Sequence, residues 1–230
     1  LIFWVQGELK PIFSERRYTL IDRLVFDSAV WSDPVESFGL LIEAMDASSR
    51  LVPQDLSWTR SFQFRLSVAA MFDDPVALDA LGSIESVEIR HHPGSRIAAL
   101  LVLAWLAVQA RWRDGLELDL ADSREIKGAR GYSFESKGGT VVRAVLVEDH
   151  ESAPLGLLRL SGGGVTVSVA REAGSGRLMR RIEAAGHVSE SPGPVDPDDS
   201  VGLVGEQLSR GGRNSLFRKV LPRFLELLGK

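Results

Sequence analysis

The sequence predicts an α/β chain leading into α+β: a βαβ unit with parallel strands and covering helices, followed by an antiparallel β-meander and two C-terminal helices. Three observations carry this. Strand-like and helix-like patterns alternate as far as Arg113, four strand-like runs separated by Gly-rich turns come after it, and two amphipathic runs close the chain. Alternating elements imply parallel pairing with right-handed crossovers, and successive short strands imply hairpins.

The elements follow in order. "LIFWV" (Leu1–Val5) is an unbroken apolar run and reads as a buried strand, with a Gly7/Pro11 turn after it. "FSERRYTLIDR" (Phe13–Arg23) reads as a helix and "LVFDS" (Leu24–Ser28) as a second buried strand. A helix starts at "SDPVESFGLLIEAM", with Ser32 or Asp33 as cap and Pro34 at the first position, where its missing N–H costs nothing. A short loop holding Pro53 leads into a helix from Leu56 to about Phe72, with Asp55 or Ser57 as cap. A short helix covers Pro75–Leu81. "SIESVEIRHH" then alternates Ile84, Val87 and Ile89 against charged residues, as a half-exposed strand does. Pro93, Gly94 and Ser95 end that strand and cap a helix ending near Trp112. Its run Ile97–Val108 is twelve apolar residues, against the roughly 20 that a membrane span needs, so it is a core helix apolar on every side.

Past Arg113, Thr140–Asp149, Leu155–Ser161, Gly164–Glu172 and Arg177–Ala185 read as the strands of the meander. Gly186–Ser200, rich in Pro, Gly, Ser and acid, reads as a loop or linker, and Asp198–Ser209 and Asn214–Leu228 as helices. Two parts are expected: 1–113, the C-terminal piece of an α/β domain whose N-terminus is absent, and 114–230, the meander with its helices. The chain opens at Leu1 directly on an apolar strand. It shows no basic n-region and no cleavage site, so this opening is not expected to be a signal peptide, and the chain is expected to be cytoplasmic.

Composition narrows the function classes. The 230 residues are 44% hydrophobic and 25% charged, ordinary for a globular chain, and the net charge of −4 offers no overall attraction to nucleic acid or anionic lipid. Cysteine is absent, which removes disulfides, thiolate metal sites, cysteine nucleophiles and thiol switches. "LSGGGVT" and "EAGSGR" lack the strand–glycine–helix context of a phosphate-binding loop and read as hairpin turns. His91 and His92, adjacent on a strand, point to opposite faces and cannot share a metal ion. His150 and His187 complete no ligand spacing, and no serine sits in a nucleophile elbow. "DPDD" (Asp196–Asp199) reads as a helix cap, and Arg210, Arg213, Arg218, Lys219 and Arg223 as the outer face of an amphipathic helix. No catalytic residue, metal site or cofactor emerges.

One stretch stands out, "LVPQDLSWTRSFQFR" (Leu51–Arg65). On a continuous helix Trp58, Phe62, Ala69 and Phe72 form an apolar stripe with Arg65 at its centre, opposite a polar strip of Thr59, Arg60, Gln63 and Ser67. A guanidinium keeps its charge, so burying Arg65 calls for a partner carboxylate, Asp27 or Asp55. The alternative is that this end of the stripe faces another molecule.

"DLSWTR" (Asp55–Arg60) resembles a segment of the OpcA family, the glucose-6-phosphate dehydrogenase assembly proteins. "LVFDSAVWSDP" (Leu24–Pro34), "VEIRHHPGSRIAALLVLAWLAVQARW" (Val87–Trp112) and the opening "LIFWVQGELK" resemble further family segments in the same order. The resemblance implies a non-catalytic factor that binds glucose-6-phosphate dehydrogenase of the pentose phosphate pathway and promotes its assembly or activates it allosterically. It offers Trp58, Arg60 and Arg65 as partner-binding residues, since Trp and Arg are favoured at interface hot spots. Cyanobacterial members are linked with thioredoxin-dependent control through cysteines, and this chain has none. The competing reading is a small-molecule- or nucleotide-binding α/β domain, or an enzyme, using the strand ends near Asp27 and Ser28.

Overall fold

The computed structural model describes residues 1–10, 18–114, 129–210 and 214–229. Parallel pairing opens the chain: β1 (Ile2–Trp4) runs beside β2 (Arg23–Phe26), and β2 beside β3 (Val52–Asp55). Leu24, Val25 and Phe26 are fully buried, as expected, but β1 is exposed along its whole length. β1 is an edge strand, and the covering helix α1 (Pro34–Ala47) packs at the opposite edge, on β3. Residues 13–17 of the helix expected at Phe13–Arg23 lie outside the described residues; of the rest, only Tyr18 is helical, Thr19 and Leu20 form a turn, and Arg23 already begins β2. Asp33 caps α1 by accepting the Glu36 amide at 2.9 Å, with Pro34 at the helix start. Pro53 lies within β3 and not in a loop. β3 is the other edge of its sheet, where a missing N–H breaks no ladder bond.

The single helix expected from Leu56 to Phe72 is two, α2 (Leu56–Thr59) and α3 (Phe62–Met71). The Trp58 carbonyl accepts the Ser61 hydroxyl at 2.9 Å and Arg65 Nη1 at 3.0 Å, so side chains take the acceptor that a continuing helix would use. This break resets the phase. The buried face of α3 is Phe64, Arg65, Ser67, Val68 and Met71, whereas Phe62 and Phe72 are only half-buried and Ala69 is exposed. Thr59 and Ser67, expected on a polar strip, are buried.

α4 (Pro75–Ala80) precedes β4 (Ile84–His91), and α5 (Arg96–Gln109) follows it. Every residue of α5 from Ile97 to Ala107 is buried, Trp105 included, and among the described residues no helix is long and apolar enough to cross a membrane. The remaining strands are β5 (Arg113–Asp114), β6 (Ala129–Glu135), β7 (Val141–Glu148), β8 (Leu155–Gly162), β9 (Val165–Ala170), β10 (Leu178–Ala184) and β11 (His187–Gly193). The sheet order is β11-β10-β9-β8-β4-β7-β6-β5. The meander is therefore split: β4 lies between β7, to which it is parallel, and β8, to which it is antiparallel. The far end of β4 is sewn to the β7–β8 connection, with Asp149 N donating to His91 O and His92 N to Pro154 O. Arg113, where the sequence pattern changes, does not divide this sheet. β11 falls in the stretch read as a loop; an edge strand tolerates its Pro192 and Gly193.

α6 (Ser200–Arg210) and α7 (Ser215–Leu228) fold back over the first half, α6 against α2 and α7 against α1 and α5. One apolar cluster joins Phe26, Phe38, Leu100 and Trp105 to Phe134, Leu160, Phe217 and Phe224. The C-terminal cations are not simply an outer face. Arg223 Nη1 pairs with Asp114 at 2.6 Å and its Nη2 donates to the Trp112 carbonyl, and Arg218 donates to the Leu51 carbonyl. Lys219 is exposed, and Arg213 lies outside the described residues.

Candidate functional site

The C-terminal ends of β2 and β3 lie side by side, Phe26 opposite Asp55, and each strand turns into a short helix there. Asp55 ties both turns together. Its Oδ1 accepts the Ser57 amide at 2.9 Å, capping α2, and the Ser28 amide at 3.2 Å; Ser28 Oγ lies 2.7 Å from Oδ2. Asp27 Oδ1 accepts the Ala29 amide and the Ser57 hydroxyl, both at 3.1 Å. Arg60 Nη2 closes the cluster on Asp27 Oδ2 at 2.9 Å. Asp55 and Ser28 have no exposed surface. Burial lifts the Asp55 carboxyl to about 7; the hydrogen bond from Ser28 opposes the rise and the nearby Asp27 charge adds to it.

α2 is the wall between this cluster and a cleft of about 350 Å³, lined by Trp58, Thr59, Arg65, Trp105, Gln207 and Arg210 among others. Arg65 is 5% exposed and Trp58 4%. The guanidinium lies 3.2 Å from the Trp58 ring centroid, and Nη1 donates to Trp58 O at 3.0 Å and Ser61 Oγ at 2.8 Å. The expected internal carboxylate is not Arg65's partner: Asp27 belongs to Arg60, and Asp55 holds backbone amides. A flat aromatic face and two oxygens replace the salt bridge, which the helix break makes possible by bringing Trp58 beneath Arg65. Burial lowers the Arg65 pKa to about 9 while the Asp196 charge supports it, so Arg65 stays a cation at neutral pH.

Asp196 arrives from the segment before α6. Its Oδ2 accepts the Gln63 amide at 2.6 Å and its Oδ1 meets Arg210 at 3.3 Å, so it caps α3 and not α6. Burial raises its carboxyl to about 6, against the Gln63 hydrogen bond and Arg210. Asp199 caps the start of α6 through the Gly202 amide. Thr59 Oγ1 donates to Gln207 Oε1 at 2.6 Å. Asp196, Gln207 and Arg210 carry no signal in the sequence for this role, because they reach the cleft only through the docking of α6.

The structure thus brings Trp58 and Arg65 into one cleft and places Asp27, Ser28 and Arg60 in the other cluster. His91 is buried, whereas His92 turns away to accept the Gly94 amide at 3.3 Å. Among the described residues no group of three His, Asp or Glu side chains could hold a metal ion.

The chain has the fold of a group of solved oxidoreductase structures. It resembles the aldose-aldose oxidoreductase of Caulobacter crescentus at a TM-score of 0.55 and 15% identity, over 99% of this chain and 75% of that one. A variant of KijD10, a 3-ketoreductase from Actinomadura kijaniata in complex with NADP, gives 0.60 and 15% over 99% and 74%. The transcriptional regulator Gal80p from a Kluyveromyces yeast gives 0.51 and 10% over 90% and 66%. At such identities the likeness shows the fold alone, and a fold shared by reductases and a regulator does not name an activity. No curated protein matches the chain by sequence. The particular family comes from the model of the C-terminal domain of the OpcA-type glucose-6-phosphate dehydrogenase subunit, which matches residues 52–221. The chain belongs to this family.

Proposed function

We propose that the chain is a non-catalytic cytoplasmic partner of glucose-6-phosphate dehydrogenase that promotes its assembly or activates it allosterically in the pentose phosphate pathway. The observation that carries this reading is the family match over 52–221. The site supports it. A general acid or base must reach the proton that it moves, and Asp55 and Ser28 have no exposed surface. The small-molecule reading at Asp27 and Ser28 draws support from their place at parallel strand ends and from the raised Asp55 carboxyl. The same burial weighs against it, because Asp27 is already committed to Arg60, Ser57 and Ala29.

Of the three residues offered for partner contact, Trp58 and Arg65 are interior, so contact at this segment falls to the rim around Arg60. The Arg60 and Asp27 side chains are 11% and 14% exposed, more buried than a freely reaching surface arginine. Mixing the chain with its host's dehydrogenase is expected to give a co-eluting complex with altered activity. Separate elution with unchanged activity would sink the proposal, as would turnover of a sugar phosphate by the pure chain. Arg60→Ala is expected to weaken the effect on the enzyme and also to cost about 1–3 kcal/mol of stability, since it strands Asp27. If the variant acts on the enzyme as well as wild type, the contact lies elsewhere on the chain.

A further inference from the structure

We infer that the cleft behind α2 is a binding site for a small amphiphilic carboxylate, its anionic head on Arg65 and its apolar body along Trp105. This site is separate from the Asp27–Arg60 rim offered to the dehydrogenase, and the inference does not rest on that reading.

The argument begins with charge. Among the described residues no carboxylate lies within ion-pair distance of Arg65, although the residue is only 5% exposed. A buried cation without a contacting anion is costly, and an anion from outside relieves that cost. Trp58 holds the guanidinium plane and only Nη1 is engaged by Trp58 O and Ser61 Oγ, which leaves donors of the fork for a carboxylate. The head is a monoanion because only one charge is unanswered by contact: Arg210, on the same cleft, already meets Asp196 and Glu206.

Shape and polarity agree. A cleft of about 350 Å³ lies within the range of roughly 300–1,000 Å³ common for small-molecule sites, which are mostly apolar with a few convergent polar groups. Here the polar groups are Arg65, Arg210, Thr59, Gln207, Gln109 and Asn214, and the rest of the wall includes Phe62, Leu66 and Ala69. A second cavity of about 290 Å³ shares Ala69, Trp105 and Gln109 with the first and is lined by Val68, Phe72 and Leu160. It gives an apolar tail somewhere to continue.

The test uses the whole chain with octanoate, dodecanoate and octanol as probes, read by calorimetric titration and by melting temperature. Saturable octanoate binding that raises the melting temperature is expected, with octanol at least ~10-fold weaker and dodecanoate tighter than octanoate. Ala69→Trp, at an exposed position of α3, fills the cleft and is expected to abolish binding while the chain stays folded. Arg65→Gln is expected to erase the preference for octanoate over octanol. If Arg65→Gln does not fold, the Ala69→Trp result decides. No saturable octanoate binding, octanol binding as tightly, or unchanged affinity in Ala69→Trp would each overturn the site; equal binding of the two acids would overturn the tail's course into the second cavity.

Discussion

At Asp55 burial and hydrogen bonding oppose one another, and burial prevails. The carboxyl stands near 7 in the folded chain against an ordinary value of 3.8, so the folded state keeps a proton that the unfolded state has released across that interval. The stabilisation linked to this proton is fully present below the unfolded value and is lost as pH rises through the folded one. Asp196, raised to about 6, works in the same direction over a lower window. Asp55→Asn keeps an acceptor for the Ser57 and Ser28 amides but cannot ionise. Between about pH 5 and pH 8 the wild type is expected to lose on the order of 2–4 kcal/mol more than this variant. Denaturant melts at a series of pH values check it, and parallel curves would mean that Asp55 is ionised throughout. Asp55 is legible as a cap from its place before Leu56. Its fusion with Ser28 is not, since that depends on β2 and β3 lying side by side.

At the scale of elements, kind is more legible than packing. The Asp33–Pro34 start of α1, the all-round apolar α5 and the two closing helices follow from caps and periodicity that act within a few residues. The α2–α3 break does not, because it goes with the Ser61 and Arg65 side chains converging on the Trp58 carbonyl, and beyond it Phe62, Ala69 and Phe72 leave the buried face while Ser67 joins it. β8 illustrates a constraint at this scale. A Cβ added at Gly162 would stand 2.0 Å from the Ser83 carbonyl oxygen and 2.6 Å from Ile84 Cα, backbone atoms that cannot swing aside. The β4–β8 register also shifts between Ile84 and Ser86. Gly162→Ala is expected to cost about 1–3 kcal/mol by forcing the start of β4 away from β8. A thermal or chemical melt checks this, and an unchanged midpoint would show that this end of the sheet yields freely.

Across the whole molecule, β4 in the centre of the large sheet and α6 and α7 folded back on the first half leave one apolar cluster shared by residues on both sides of Arg113. The chain is accordingly expected to unfold in one cooperative transition, with calorimetric and van't Hoff enthalpies equal. Two separated transitions would instead support independent parts at 1–113 and 114–230. The sequence by itself determined the helix starts, the apolar α5, the strand character of most of the second half and the family, because caps, periodicity and short motifs are local. Tertiary structure alone decided that β4 parts the meander, that β1 lies exposed at an edge, and that Arg65 rests on Trp58 with no carboxylate. Those outcomes depend on which distant segments meet, and the pairing of strands or the docking of α6 leaves no periodic mark on the residues that it joins.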